Sequence, residues 1–469
     1  MFEAQVYENR RTALAREMRN RGIGRGVVLL HANFRSPRTY RDSCFPFRQD
    51  SSWLYFIGLD QPGMATTLDV EDGSAILFGE EPTMADLVWT GPRPRLGEYA
   101  ALAGIGDFRS YDSLPEYLSR AKAKGLEIFT LPRYQAEAEQ VFAKLLGERP
   151  ALRTGGSAFE GDIALVDSVV GLREIKDAQE VAALEQAAGI TAEVHKALAR
   201  ALRPGWSETE AASFAARAML ERGATPGFET IATVRGETLH NHPTGRRCRE
   251  GDLFLLDAGA ELESGYSGDL TTSFPVSPRF TSRQKDLYSL LSRVFAAAIA
   301  DLGPGRLFLD AHLAACRELA RGLSDLGLMK GDPEEAVAEG AHALFFPHGL
   351  GHMIGLDVHD MESLGEDRVG YGSLARSGQF GLRSLRLAKA LKPGMVHSVE
   401  PGIYFIPGLI DQWEAEGRAR QFIDYKALEA WRGEGGMRLE EDWLVEPTGS
   451  RRLGQEFSRR VGDIEALRA

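Results

Sequence analysis

Four carboxylates and one imidazole, each inside its own short motif, define the chemistry open to this chain. Asp257 lies in LLDAGAE, Asp269 in SGDLTTSFP, His352 in PHGLGHMIGLDVHD, Glu400 in SVEPGIY and Glu440 in GMRLEED. Together they make a donor set suited to two hard or borderline divalent ions. Two such ions can activate water, so the set points to a metallohydrolase. Asp257 ends the apolar run Leu253–Leu256, Glu263–Gly265 offer a turn, and Asp269 is expected to start the returning strand of a hairpin. Antiparallel pairing would bring two like charges together, and these repel unless a cation neutralises them or one is protonated. Aspartates flanking hairpins are also common on surfaces, so this pair alone carries little weight.

Histidines add a second layer. His348 and His352 are four residues apart, but Gly349 and Gly351 lie between them and the glutamate of HExxH is missing. We therefore expect a loop that presents His348, His352 and His359 around one cavity. Eight of the ten histidines fall between His240 and His397, which suits proton transfer near neutral pH. Ordinary core or surface positions suffice for His242, His312, His342 and His397. Glu400 closes a strand-like run at Pro401-Gly402. Arg438 and Glu440 alternate onto one face of an expected strand, where Arg438 could hydrogen-bond a ligand carboxylate.

The elements that must position these groups fall into two blocks. Residues 6 to about 165 read as an α/β unit. A helix over Val6–Arg21 is followed by strands at Gly26–Leu30, Trp53–Leu59, Met64–Val70 and Ala75–Phe78. Then come a Gly/Pro loop at Trp89–Gly97 and helices near Leu114–Ala123 and Gln135–Leu146. Gly22-Ile-Gly24-Arg-Gly26 is not a nucleotide loop, because the third glycine is at the wrong offset and the segment precedes its strand. A boundary is expected near Arg153–Gly161, dividing the chain into domains 1–160 and 161–469. Beyond it, Asp177 and Glu180 form a capping-box start, and a second helix spans Ser207–Arg222. Strands follow at Phe228–Val234, Asp252–Ala260 and Asp269–Pro275. Helices run from Thr281 to about Leu302 and over Leu309–Leu326, and strands return at Met395–Tyr404 and Arg438–Val445. This order predicts an α+β domain of two similar halves facing each other.

Composition narrows the field. A formal charge of -12 disfavours nucleic-acid binding, and the basic stretches Arg93–Arg95 and Arg246–Arg249 read as solvated loops. Three cysteines without CxxC spacing fit a reducing compartment, so cytoplasmic location is expected. No apolar run approaches the roughly 20 residues of a membrane span.

At the quoted motifs the chain resembles the prolidase and aminopeptidase P group of pita-bread metallopeptidases. The likeness covers nearly the whole chain, including FPFRQDSSWLYFIGLDQPG in the N-terminal half. It implies a C-terminal pita-bread catalytic domain with pseudo-twofold halves, preceded by an α/β N-terminal domain. It also implies roles: Asp257 on one metal, His352 and Glu400 on the other, Asp269 and Glu440 bridging both. His240 would lie near the substrate, and His348 and His359 would contact the scissile carbonyl and help move protons. The metals implied are two manganese ions, with cobalt or zinc as substitutes. The implied substrate is a proline-containing peptide cut before the proline, and the implied assembly is a homodimer or homotetramer, with the Trp89 loop reaching a neighbouring site.

Two activities fit. FGLRSLRLAKALKPGM before Glu400 and the long segment after it resemble the eukaryotic-type prolidases, which cut Xaa-Pro dipeptides. Arg386 matches the prolidase arginine that binds the dipeptide carboxylate; read by itself, it is a surface arginine in a basic helix. DAGAE and Phe45–Pro62 lean toward aminopeptidase P, which removes the first residue from longer peptides. Two departures stand out: Asp257 and Asp269 are one residue further apart than is usual in the family, and Thr272 replaces an arginine frequent in aminopeptidase P. A metal-free peptide-binding module or a creatinase-like enzyme would not need all five ligands.

Overall fold

The computed structural model describes residues 2–40, 42–149 and 162–469; the boundary expected near Arg153–Gly161 lies outside them. The chain divides into two compact units, Met1–Arg173 with Met361–Arg368, and Glu174–Asp360 with Val369–Ala469.

The first unit is built on a mixed five-stranded sheet. Val27–His31 pairs antiparallel with Ala65–Asp69 and parallel with Ile128–Thr130, while Ala75–Gly79 continues to Asp107–Ser110. The run expected as a strand at Trp53–Leu59 is instead the short helix Ser51–Phe56. Short apolar runs do not by themselves distinguish strand from helix. Here the Asp50 carboxylate accepts from Trp53 N at 2.8 Å, an N-cap that tips the choice to helix. At the other end Arg10 and Arg11 donate to the carbonyls of Tyr55 and Phe56. Part of the Trp89 loop is also helical, over Met84–Thr90, capped by Thr83 with Asp86.

The second unit starts from capped helices, as the sequence predicts. Asp177, Ser207 and Thr281 accept from the backbone three residues on, and Glu180, Gln284 and Glu210 return the bond. In the first half, the helices Ala178–Ala201 and Glu208–Leu220 precede a sheet of Ile231–Thr233, Leu253–Asp257 and Thr271–Pro275, with a ribbon of Ala224–Pro226 and Ala260–Leu262. The second half repeats the plan. Helices Ser282–Ile299 and Phe308–Asp325 precede a sheet of Val396–Val399, Glu441–Val445 and Ser450–Arg452, with a ribbon of Gly402–Tyr404 and Gly436–Arg438.

Three details depart from the sequence reading. Asp257 pairs with Thr271, but the connection is no simple hairpin: Ala260–Leu262 leaves to pair with Ala224–Pro226, and Asp269 precedes its strand. The run Met395–Tyr404 breaks into two strands after Val399, at Pro401, which has no N–H to continue a ladder. Glu440 likewise sits between two strands, Gly436–Arg438 and Glu441–Val445. Glu400 and Glu440 therefore occupy matched positions, where paired chains pass from sheet to ribbon.

Candidate metal centre

The loop carrying the histidines is laid along the strand that leads to Glu400. Ser398 N donates to His352 O at 2.9 Å, Glu400 N to Leu350 O at 2.7 Å, and Ile354 N to Val396 O at 2.9 Å. The intervening glycine permits this approach: a Cβ on Gly351 would lie 2.2 Å from Ser398 O. His352 and Glu400 thus face one place, with His352 Nε2 3.7 Å from Glu400 Oε1 and 3.5 Å from Asp269 Oδ2. Glu440 is brought in from the other side, its N donating to Thr271 O at 3.0 Å and its Oε2 accepting from Thr271 Oγ1 at 2.6 Å. Despite the lengthened Asp257–Asp269 interval, Asp269 reaches this cluster. The Gly265 turn, closed by its N–H on Leu262 O and with φ of 87°, lies in the connection where the extra length falls.

Arg438 joins the centre with each of its three guanidinium nitrogens donating. It gives Nη2 to Asp257 Oδ2 at 2.5 Å, Nη1 to the Tyr404 hydroxyl at 3.0 Å and Nε to Thr271 Oγ1 at 3.1 Å. Tyr404 sits 2.8 Å from His348 Nε2, and His348 Nδ1 lies 2.8 Å from Gly349 O. A carbonyl only accepts, so Nδ1 carries the proton and Nε2 accepts from Tyr404. Burial lowers His348 to about 3, helped by Arg438, and raises the Tyr404 phenol to about 12. The relay Arg438–Tyr404–His348 therefore holds a neutral imidazole in one tautomer. His359 stacks on His352 with ring centroids 3.8 Å apart, and its own side faces solvent, as does His240.

These residues line one cleft of about 550 Å³, with Phe228, Ile231, Leu239 and Val358 as apolar wall and Arg386 at its side. Arg386 is not in the basic helix its neighbours suggest: the only regular turn there is Leu382–Ser384, and its charge acts on Glu400. A larger groove of about 1150 Å³ is lined by Arg235, Arg246, Arg247, Arg249, Arg283 and Arg432, and contains none of the predicted site residues. Tyr404, Thr271 and Asp442 were not singled out in the sequence. Asp442 accepts from Asp269 N at 2.9 Å. Its signal was available, because it alternates with Glu440 and Arg438.

The donor set fits divalent cations. Asp269 Oδ1 is buried with no hydrogen-bond partner. His352 Nδ1 lies 3.2 Å from Met353 O, so its proton belongs there and the bare Nε2 lone pair points at two carboxylates. Lone pair against anions is repulsive unless a cation lies between. Burial drives Asp269 and Glu440 well above the ordinary carboxylate range, and each is pushed further by neighbouring carboxylates, Asp257 first for Asp269 and Asp269 first for Glu440. Asp269, His352 and Glu440 each offer a donor atom within 4.8 Å of the others. Oxygen donors with one imidazole suit manganese, cobalt or zinc.

Residues 182–447 match metallopeptidase family M24, and residues 7–129 match the N-terminal domain of aminopeptidase P. The chain belongs to metallopeptidase family M24. Curated relatives include a human Xaa-Pro dipeptidase, 31% identical over 98% of this chain and 92% of that one. An Escherichia coli Xaa-Pro aminopeptidase is 30% identical over 99% of this chain and 97% of that one. Among solved structures, the low-pH form of E. coli aminopeptidase P matches with TM-score 0.81 and 29% identity, covering 100% of this chain and 98% of that one. A zinc-substituted form of that enzyme with product matches at TM-score 0.80 and 28% identity, with the same coverage. The M24 chain thus has the pita-bread catalytic domain preceded by an aminopeptidase P-type N-terminal domain. No described helix is long and apolar enough to cross a membrane.

Proposed function

We propose that this M24 metallopeptidase hydrolyses the peptide bond before proline, acting foremost as an Xaa-Pro dipeptidase. The observation that carries the hydrolytic reading is the convergence of Asp269, His352 and Glu440 with Asp257 and Glu400 around one buried point. Asp257 would hold one ion and His352 with Glu400 the other, Asp269 and Glu440 would serve both, and manganese is the expected metal. When bound, the ions supply Lewis acidity that polarises a carbonyl and lowers the pKa of water.

The chain's own residues do the rest. Arg438 fixes the Asp257 carboxylate and, through Tyr404, the His348 ring. With both nitrogens engaged, His348 shapes the wall of the cleft beside Glu400, 3.7 Å from its Nδ1. His240 and His359, facing the open cleft, are placed to hydrogen-bond the substrate carbonyl and exchange protons with it. Phe228, Ile231, Leu239 and Val358 offer a surface for an apolar ring. An Xaa-Pro amide has no N–H, so a site without an acceptor for it loses nothing by binding proline.

Dipeptide preference rests on Arg386, whose guanidinium in the same cleft as Glu400 suits a terminal carboxylate. Near-equal identity to dipeptidase and aminopeptidase relatives keeps Xaa-Pro aminopeptidase as the alternative. Manganese-loaded protein is expected to turn over an Xaa-Pro dipeptide faster than an Xaa-Pro-Yaa tripeptide, and Arg386→Ala to raise KM for the dipeptide alone. Equal or better tripeptide turnover, indifferent to Arg386→Ala, selects the aminopeptidase; no cleavage of either rejects both. The exposed apolar residues Met84, Val88 and Trp89 favour a homo-oligomer, and three cysteines outside any disulfide favour the cytoplasm.

A further inference from the structure

Behind the wall that carries His348 lies a second cluster, with different chemistry. His312 and Cys316 are one turn apart on the Phe308–Asp325 helix, and His342 comes from the Ala341–Leu344 turn. All three are fully buried, at 0% exposure. His312 Nε2 lies 3.4 Å from Cys316 Sγ, and one donor atom from each residue lies within 4.8 Å of both others. Three ring nitrogens here have no hydrogen-bond partner: Nδ1 of His312 and both nitrogens of His342. A buried polar group left without a partner forfeits the hydrogen bonds it made to water. An imidazole with both nitrogens orphaned is an expensive way to fill a core position that leucine or phenylalanine would fill without cost.

We propose that His312, Cys316 and His342 form a separate site for one thiophilic metal ion, distinct from the carboxylate centre. The donors decide the class. A sulfur and two imidazole nitrogens select cuprous copper or zinc over manganese, magnesium or calcium, which prefer oxygen. Charge favours the cuprous ion: one thiolate and two neutral imidazoles around a monovalent cation leave the site uncharged, as an apolar interior requires. The metal-free thiol keeps its proton, because burial pushes its pKa up, and binding exchanges that proton for the ion. The site also touches the catalytic wall: Phe346 packs its ring 5.3 Å from His312 and 4.8 Å from His348.

The test is anaerobic titration of the full-length, manganese-saturated protein with cuprous ion, followed by X-ray absorption at the copper edge. The expected result is one added equivalent per chain, with one sulfur and two nitrogen neighbours. Cys316→Ser and His342→Gln should lose that equivalent while keeping their manganese, and Cys44→Ser should retain it. No added equivalent, a shell without sulfur, or the same shell surviving Cys316→Ser overturns the proposal. If Cys316→Ser fails to fold, the wild-type absorption spectrum decides, since none of the described residues lining the carboxylate cleft carries sulfur.

Discussion

Lys176 and Asp360 meet at 2.9 Å with side chains only 1% and 2% exposed, whereas in the cleft four carboxylates, Asp257, Asp269, Glu400 and Glu440, face two guanidinium groups, Arg438 and, acting on Glu400, Arg386. The same contrast appears at Glu174. Burial raises that carboxyl, but Lys389 and Lys392, both 2.6 Å away, more than offset it and leave it below its ordinary range. At Asp269 and Glu440 burial meets further anions instead, and both rise. At Asp360 and Glu174 the cation comes from the chain itself. Where it leaves four carboxylates with two arginines, the missing positive charge must come from outside, and two divalent ions are the simplest supply.

The largest effect should come from removing a carboxylate proposed to serve both ions. Asp269→Ala or Glu440→Ala should abolish manganese binding at the centre and lower kcat/KM well beyond the 10–100-fold typical of an outer-sphere partner. The same changes should leave the metal-free chain no less stable, because they relieve repulsion. Breaking the structural pair should do the reverse. Lys176→Met should cost about 3–5 kcal/mol of stability by stranding Asp360, while Lys176→Met with Asp360→Leu should recover most of it. Urea denaturation reads both, and equal responses at the two places would erase the contrast.

Much of this contrast was legible before the structure. The five ligand motifs, the capping box at Asp177, the helix starts at Ser207 and Thr281, and the two-half plan are local signals, set by residue type and spacing. What was hidden depends on partners distant in sequence. One exception is local: Ser51–Phe56 is a helix because Asp50 caps it, and a six-residue helix gives no periodicity to read. Tyr404 looked like one more strand residue in VEPGIY; only pairing of Gly402–Tyr404 with Gly436–Arg438 sets it between His348 and Arg438. His312 and His342 read singly as core histidines. Their meaning comes from Cys316, four residues on from His312, and from a turn some thirty residues away in the chain.

Acidity gives a subtler test. Burial raises Asp442 to about 7, so the folded chain binds its proton more tightly than the unfolded chain does. That contribution is present below the ordinary carboxylate range and is lost as pH rises through about 7. Asp269 and Glu440 shift in the same direction. Chelator-treated protein should therefore lose stability as pH climbs from mildly acid through about 7, measured as the urea midpoint, and Asp442→Asn should flatten that decline. A metal-free chain that instead gains stability over this range would place these carboxylates with the paired ones.

The smallest effect concerns the relay. Tyr404→Phe removes one hydroxyl that serves both Arg438 and His348, and should cost about tenfold in kcat/KM with manganese content unchanged. Loss of metal in this variant would make Tyr404 part of the ion-holding set.

The central claim, that the cleft's unbalanced carboxylates are a two-ion site, is tested most directly by calorimetric titration of metal-free protein with manganese. The account predicts two equivalents per chain in the wild type, neither retained at full affinity in Glu440→Ala. It is contradicted by fewer than two equivalents in the wild type, or by two that survive Glu440→Ala unchanged.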